Sequence, residues 1–315
     1  RGAVHLRRTR VPRQLLLADE NKGWRVSETG ADDDRPVEPG SLDPLPVDVI
    51  SIQSQVVYGC VGNSVAVPTL QAAGLNVVPV PTVLLSNTPH YDTLHGGAVP
   101  LEWFEGFLAD LTRRQVLRHA KAVVIGYLGS PEQAEALATW LRNALEEKPE
   151  LKVFLDPVMG DHDSGLYVHE DLPAALRDKL VPLATGLTPN AFEFQKLVGQ
   201  DVSTAAATTA AATHLLGGRT EWVVVTSAAP DEENGSVARI VLVTPAGSEV
   251  LTWQRVDSAA KGTGDLFSAA VAAGVLRGAA LKEAVLAAHD RVVEVLERTA
   301  RLNCNELVIN DVDAL

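Results

Sequence analysis

The chemistry-bearing residues of this chain are carboxylates and small polar groups placed where an apolar strand hands over to a helix. Gly262-Thr263-Gly264-Asp265 stands directly before the apolar run 266–276. A helix starting there leaves its first backbone N–H groups unpaired, and with the positive end of the dipole they form a cradle for an anion such as phosphate. Two glycines let that backbone approach a ligand closely. The same pattern gives Asp265 a second reading, as a first-turn acid that only complements the dipole. Asp156-Pro157-Val158-Met159-Gly160-Asp161 places two carboxylates after a strand, and Glu193 closes a further junction, Thr188-Pro189-Asn190-Ala191-Phe192-Glu193. Hard oxygen donors of this kind suit Mg²⁺, held by one or two carboxylates plus water and substrate phosphates. Asp161 also reads as turn chemistry, because Gly-Asp is a common turn pair. His162 has no second His at ligand spacing and reads as solvated. Gln53-Ser54-Gln55 and Thr226-Ser227 bring the polar junctions to five. One alone is a turn and a cap; five on one sheet edge read as a site.

Two nucleotide motifs are excluded. Phe267 stands where a GxGxxG fingerprint needs its third glycine, and GxxxxGK[ST] occurs nowhere in the chain.

The elements that must position these residues alternate. Val47, Val49, Ile50 and Ile52 read as a buried first strand, followed by a turn at 59–63 and a helix that Gly74 ends. The run 77–85 reads as a second extended segment, with Pro79 and Pro81 predicting an irregular or edge position. A loop at 86–100 leads to a helix over 101–117, a strand at 122–125 and a helix from Pro131 to 147, Pro being favoured at the first helical position. Strand 153–155, helices 172–180, 192–198 and 205–216, strand 222–226, and a hairpin of 239–244 with 249–255 follow. Helices at 264–276 and 281–298 close the chain. The fold class is therefore α/β, a mainly parallel central sheet with helices on both faces and ligands at the carboxyl ends of the strands.

The 315 residues carry 27 Lys and Arg against 40 Asp and Glu, a net charge of -13. Residues 1–46 hold 8 of each sign, so the whole excess lies on 47–315. An acidic body repels a phosphate backbone, which argues against nucleic acid as a partner. The apolar run 266–276 is far shorter than the roughly 20 residues a bilayer requires, so no membrane span is expected. Cys60 and Cys304 have no CxxC spacing, which fits neither a zinc site nor a disulfide framework and suits a reducing cytoplasm. Residues 1–46, basic at first and then rich in acids and Pro, read as a disordered leader before one domain over 47–315. Leu15-Leu16-Leu17 is the part of it able to form a short strand or turn.

Together, Ser51-Ile52-Gln53-Ser54-Gln55-Val56-Val57-Tyr58-Gly59, Leu85-Ser86-Asn87-Thr88-Pro89-His90-Tyr91, the 156–161 and 188–193 junctions, Val225-Thr226-Ser227 and the run from Lys261 to Phe267 resemble the vitamin B6 kinases of the ribokinase-like superfamily. The similarity is to the bacterial pyridoxine/pyridoxal/pyridoxamine kinases and runs from about 47 to 308. It implies ATP-dependent phosphorylation of the 5'-hydroxymethyl group of pyridoxal, pyridoxine and pyridoxamine in pyridoxal 5'-phosphate salvage. By that resemblance Asp265 is the catalytic base and Gly262, Thr263 and Gly264 form the anion hole. Ser54 and His90 contact the pyridine, Asp156, Tyr167, Thr188 and Thr226 lie on the nucleotide side, and Glu193 matches a magnesium-linked position. From the residues alone, Asp156, Glu193 and Asp161 are the candidate Mg²⁺ ligands, and Lys261 reads as a solvated loop lysine or as added positive charge on the nucleotide side. A monovalent cation such as K⁺ and a homodimer are also implied. Thr88-Pro89-His90 departs from the His-Thr of many pyridoxal-selective relatives and points to the broader pyridoxine-type group. A hydroxymethylpyrimidine kinase, a sugar kinase of the same superfamily and a non-catalytic pyridoxal phosphate binder are the alternatives.

Overall fold

The computed structural model describes residues 43–229, 237–254, 256 and 260–311, together with the backbone of strands β1 (Leu16–Asp19) and β2 (Gly23–Val26). The chain divides into two compact units, Arg1–Asp43 and Pro44–Leu315. In the first, β1 and β2 pair antiparallel, with Leu16 opposite Val26 and Asp19 opposite Gly23. The segment read as a disordered leader thus contains a short hairpin at its apolar Leu16-Leu17; the other residues of that leader before Asp43 lie outside the described set.

The second unit runs β3 (Val49–Tyr58), α1 (Asn63–Ala72), β4 (Val77–Asn87), β5 (Gly96–Ala98), α2 (Leu101–Arg113), β6 (Ala122–Ile125), α3 (Pro131–Glu147), β7 (Lys152–Leu155), β8 (Gly160–Asp161), β9 (Gly165–Leu166) and α4 (Leu172–Ala175). It continues with β10 (Gly186–Leu187), α5 (Ala191–Val198), α6 (Ala205–Leu215), β11 (Trp222–Val225), β12 (Val237–Thr244), β13 (Gly247–Gln254), α7 (Thr263–Leu276) and α8 (Leu281–Arg301). Among the described residues, nine strands form one sheet in the order β13-β12-β11-β10-β7-β6-β3-β4-β5. The pairs from β11 to β4 are parallel, and antiparallel partners close both edges.

Strand alternation builds two cores, because successive side chains leave a strand on opposite faces. Ile50, Ile52, Val123, Ile125, Val153, Leu155, Val223 and Val225 face a core shared with Phe104 and Leu108 of α2 and Leu137 and Leu141 of α3. Val49, Ala122, Val124, Phe154, Trp222 and Val224 face the other, with Leu70 of α1, Phe267 and Val271 of α7 and Val285 of α8. Near-continuous apolar strands are what a sheet covered on both faces requires. At Gly186 a side chain would meet the Trp222 ring at 2.0 Å, so this short strand needs its glycine.

Several boundaries differ from the sequence reading for physical reasons. Strand β3 runs six residues past Ile52, where its pairing with β6 ends, and continues beside β4 alone. Pro79 and Pro81 do not interrupt β4. They lie before Val83, where β5 begins to pair, so their missing N–H groups face an open edge. The expected loop at 86–100 contains β5. The expected helix over 101–117 splits into α2 and a short 3₁₀ turn, with Gln115 left-handed between them, and 172–180 passes from α4 into a π turn. Helix α3 starts as expected at Pro131, capped by Ser130, whose hydroxyl accepts the Gln133 amide at 3.3 Å. Among the described residues no helix is long and apolar enough to cross a membrane.

Candidate active site

Four strand ends and the start of α7 meet on one side of the sheet. Helix α7 begins at Gly262, whose left-handed φ of 95° and close approach to the Cys60 carbonyl exclude a side chain. Asp265 lies in the first turn, yet its carboxylate bonds no amide of that turn: it accepts the Gly62 amide at 2.8 Å. Gly62 has φ 53° and packs on Ser54, where an added Cβ would fall 2.2 Å from the Ser54 carbonyl oxygen. Asn63 fixes this turn by donating to the carbonyls of Gln53 and Val80. Opposite it, the register of β3 on β4 shifts between Gln53 and Gln55, turning the buried Ser54 side chain toward Gly62.

The carboxylates gather around α7. Asp156 follows β7, and its Oδ2 lies 3.9 Å from where a Gly264 Cβ would be. Glu193 sits in a capping box at the start of α5: Asn190 Oδ1 accepts the Glu193 amide at 2.9 Å, and Glu193 Oε2 accepts the Asn190 amide at 2.9 Å. Its other oxygen accepts the Met159 amide at 3.1 Å, tying the 156–161 loop to α5. Burial, then Glu193 and Asp265, push Asp156 well above the usual carboxylate range. Burial pushes Glu193 up to about 8, its backbone donors opposing and Asp265 adding to the rise. Asp265 keeps part of its surface open, but desolvation of the carboxyl still raises it to about 6 against the Gly62 hydrogen bond. The Tyr167 hydroxyl is raised by desolvation and then by Glu193, Asp265 and Asp156, while its ring stacks on Tyr127. Crowding of negative charge among groups with few cations is the mark of a place that receives a cation.

The remaining predicted residues are placed around this centre. Thr188 donates its hydroxyl to Ser268 on α7 at 3.0 Å, and the Thr226 amide reaches the Pro189 carbonyl. Lys261 pairs with Asp161 at 3.5 Å, and Asp161 also accepts the Ser164 amide. Burial of Asp161 is outweighed by these partners, which lower its pKa. Its carboxylate is thus engaged by a turn and a lysine. His90 lies 3.8 Å from Glu306, with its ring tilted against that of Tyr91. Gly62, Asn190, Ser268 and Glu306 were not singled out from sequence. Two glycines flanking Cys60-Val61 were the available signal for Gly62; an isolated acid near the C-terminus offered none for Glu306.

A family model described as phosphomethylpyrimidine kinase matches residues 67–310. The chain belongs to that family. A pyridoxine/pyridoxal/pyridoxamine kinase of Bordetella bronchiseptica is 54% identical over 86% of this chain and 96% of its own length. A pyridoxal kinase of Corynebacterium diphtheriae is 31% identical over 84% of this chain and 93% of its own length. Among solved structures, the pyridoxal kinase of Leishmania donovani in complex with ADP and pyridoxamine superposes with a TM-score of 0.75 at 27% identity, covering 83% of this chain and 90% of that one. The fold of that solved relative is the mainly parallel sheet flanked by helices described above.

Proposed function

We propose that this member of the family transfers the γ-phosphoryl group of ATP to the 5'-hydroxymethyl group of pyridoxal, pyridoxine and pyridoxamine, for salvage of pyridoxal 5'-phosphate. The observation that carries the reading is Asp265, raised to about 6 and held by the Gly62 amide at the first turn of α7. At neutral pH such a carboxylate is ionised, yet it is a stronger base than an ordinary one, which suits removal of the hydroxyl proton. The amides of Gly262, Thr263 and Gly264 receive the charge on the moving phosphoryl group, a task that needs positioning and electrostatics rather than covalent chemistry. Ser54 and His90 orient the pyridine; Tyr167, Thr188, Thr226 and Lys261 border the nucleotide.

The donor set fits Mg²⁺. Among the described residues no three His, Cys, Asp or Glu side chains converge into a metal cage. A magnesium ion that keeps its waters and nucleotide phosphates needs no such cage, only one or two carboxylates. Asp156, together with Glu193, both of whose oxygens already accept amides, would hold the ion, and Asp161 lies at the margin. The ion would neutralise the phosphates of ATP. The enzyme also uses K⁺ and works as a cytoplasmic homodimer; replacing K⁺ by Na⁺ and sedimentation of the purified chain test the first and last.

Magnesium-dependent ATP consumption on adding pyridoxine is the direct test, and its absence removes the proposal. A second reading, phosphorylation of hydroxymethylpyrimidine, draws on the description of the matching family model. Comparing kcat/KM for that compound and the three B6 vitamers separates the two.

A further inference from the structure

We propose that Glu306 is a positioning residue for the reaction proposed above, acting through His90 and through the 59–62 turn. The C-terminal segment that carries it is firmly docked. Leu307 is buried against Val65, Leu266, Val295 and Leu296, the Val308 amide donates to Thr299 Oγ1 at 3.0 Å, and buried Arg298 donates to the carbonyls of Val308 and Ile309. This anchorage aims Glu306 at two parts of the site. Its Oε2 accepts the Cys60 amide at 3.1 Å, two residues before the Gly62 amide that holds Asp265. Its Oε1 faces His90 Nε2 at 3.8 Å.

Oε1 is buried and has no hydrogen-bond partner among the described residues. The nearby Tyr91 hydroxyl donates to Asn305 and also feels the Glu306 carboxylate, which after desolvation raises its pKa. A buried carboxylate oxygen without a donor costs free energy, and holding the Cys60 amide requires only a neutral acceptor. The charge therefore faces His90 and Tyr91, and the hydrogen bond acts on the turn. The two contacts separate experimentally. Glu306→Gln keeps an acceptor for Cys60 and removes the charge facing His90. Glu306→Ala removes both.

The assay is steady-state kinetics of the full chain with pyridoxine and Mg-ATP, alongside thermal melting. Glu306→Ala should lower kcat by on the order of 10- to 100-fold, the scale of a displaced catalytic group, and raise the pyridoxine KM. Glu306→Gln should restore kcat to within about threefold of wild type while the pyridoxine KM stays roughly three- to tenfold high, an affinity change on the scale of one weakened contact. The KM for ATP should hold in both. A lowered melting temperature with wild-type kcat and pyridoxine KM would overturn the proposal, leaving Glu306 a strut only. Equal losses in both variants that extend to the ATP KM would overturn it too. If Glu306→Ala does not fold, Glu306→Gln decides alone: a raised pyridoxine KM supports the assignment, and an unchanged one removes it. A wild-type chain that does not turn over pyridoxine defeats the kinase reading itself, and this proposal with it; an active wild type with unaltered variants defeats only the role of Glu306.

Discussion

Asp265→Asn should make this protein both much slower and more stable, and the two effects should share one pH dependence. The carboxylate titrates near 6 in the folded chain, against an ordinary 3.8. Ionising it in the fold therefore carries a penalty that is absent below about pH 4, grows between 4 and 6, and is complete above 6. Two units correspond to about 3 kcal/mol as a ceiling, and the open side of Asp265 admits solvent that screens this to roughly 1–2 kcal/mol. Asn keeps an oxygen for the Gly62 amide and carries no charge, so the variant escapes the penalty. At roughly 2–4 °C per kcal/mol for a domain of this size, its Tm should exceed wild type by a few degrees at pH 7.5 and match it at pH 4. Turnover should fall roughly 10²- to 10⁴-fold, the range for loss of a general base, with pyridoxine Kd little changed. Wild-type kcat/KM should rise with pH through about 6 and level off; the residual activity of the variant should lack that step. Scanning calorimetry and pH-rate profiles on the two proteins measure all of this. A variant that melts lower at pH 7.5 and turns over near the wild-type rate would falsify the reasoning and leave Asp265 a helix-start acid.

Neutralising Asp156 or Glu193 to its amide should raise the Mg²⁺ concentration for half-maximal rate, more for Asp156; an unchanged magnesium curve removes that residue from the ion. Ser54→Ala and His90→Ala should weaken pyridoxine binding well beyond ATP binding, as isothermal titration would register, and equal losses on both substrates with Tm intact contradict their assignment. Gly62→Ala should cost roughly 1–3 kcal/mol of stability for its left-handed backbone and lower kcat at least about tenfold, because relief of the clash with Ser54 must move the amide that holds Asp265. Deleting residues 1–44 should leave Tm and kcat nearly unchanged, given the balanced charges and sparse apolar periodicity of that segment; collapse of either shows that it supports the kinase.

Long periodic elements were legible. The runs 122–125 and 131–147 have the bounds expected, since one is a pure apolar strand and the other starts with a capping Ser and Pro. Elements with only two or three residues escaped: β5 is Gly-Gly-Ala and β10 is Gly-Leu, and neither carries β-branched residues. Their strand state comes from neighbours, Val83 to Leu85 for one and β7 with β11 for the other. At the site, the strand-to-helix junctions announced Asp156, Glu193 and Asp265 because their chemistry is local to a turn. Which amide Asp265 binds was not legible, because Gly62 lies 203 residues away. Glu306 was hidden for the same reason, its partners Cys60 and His90 being brought to it only by the docking of Leu307.

The two-residue strand β10 has a mechanical consequence. On one side of it lie β3, β4 and β6 with Ser54 and the turn at Gly62; on the other lie β11 and Thr226. Each flanking strand is registered to β10 at only two positions, with Trp222 packed over Gly186 and against Phe154 at 5.7 Å. A load drawn across the sheet would concentrate on this rung, as strain does at the narrowest section of a beam. The hydroxyl of Thr188 on Ser268 bridges that line just beyond the strand, so helix α7 serves as a splint across it. Stretching a molecule tethered through β4 and β12 should part the β3–β4–β6–β7 half from the β11–β12–β13 half at this seam before either half loses its own helices.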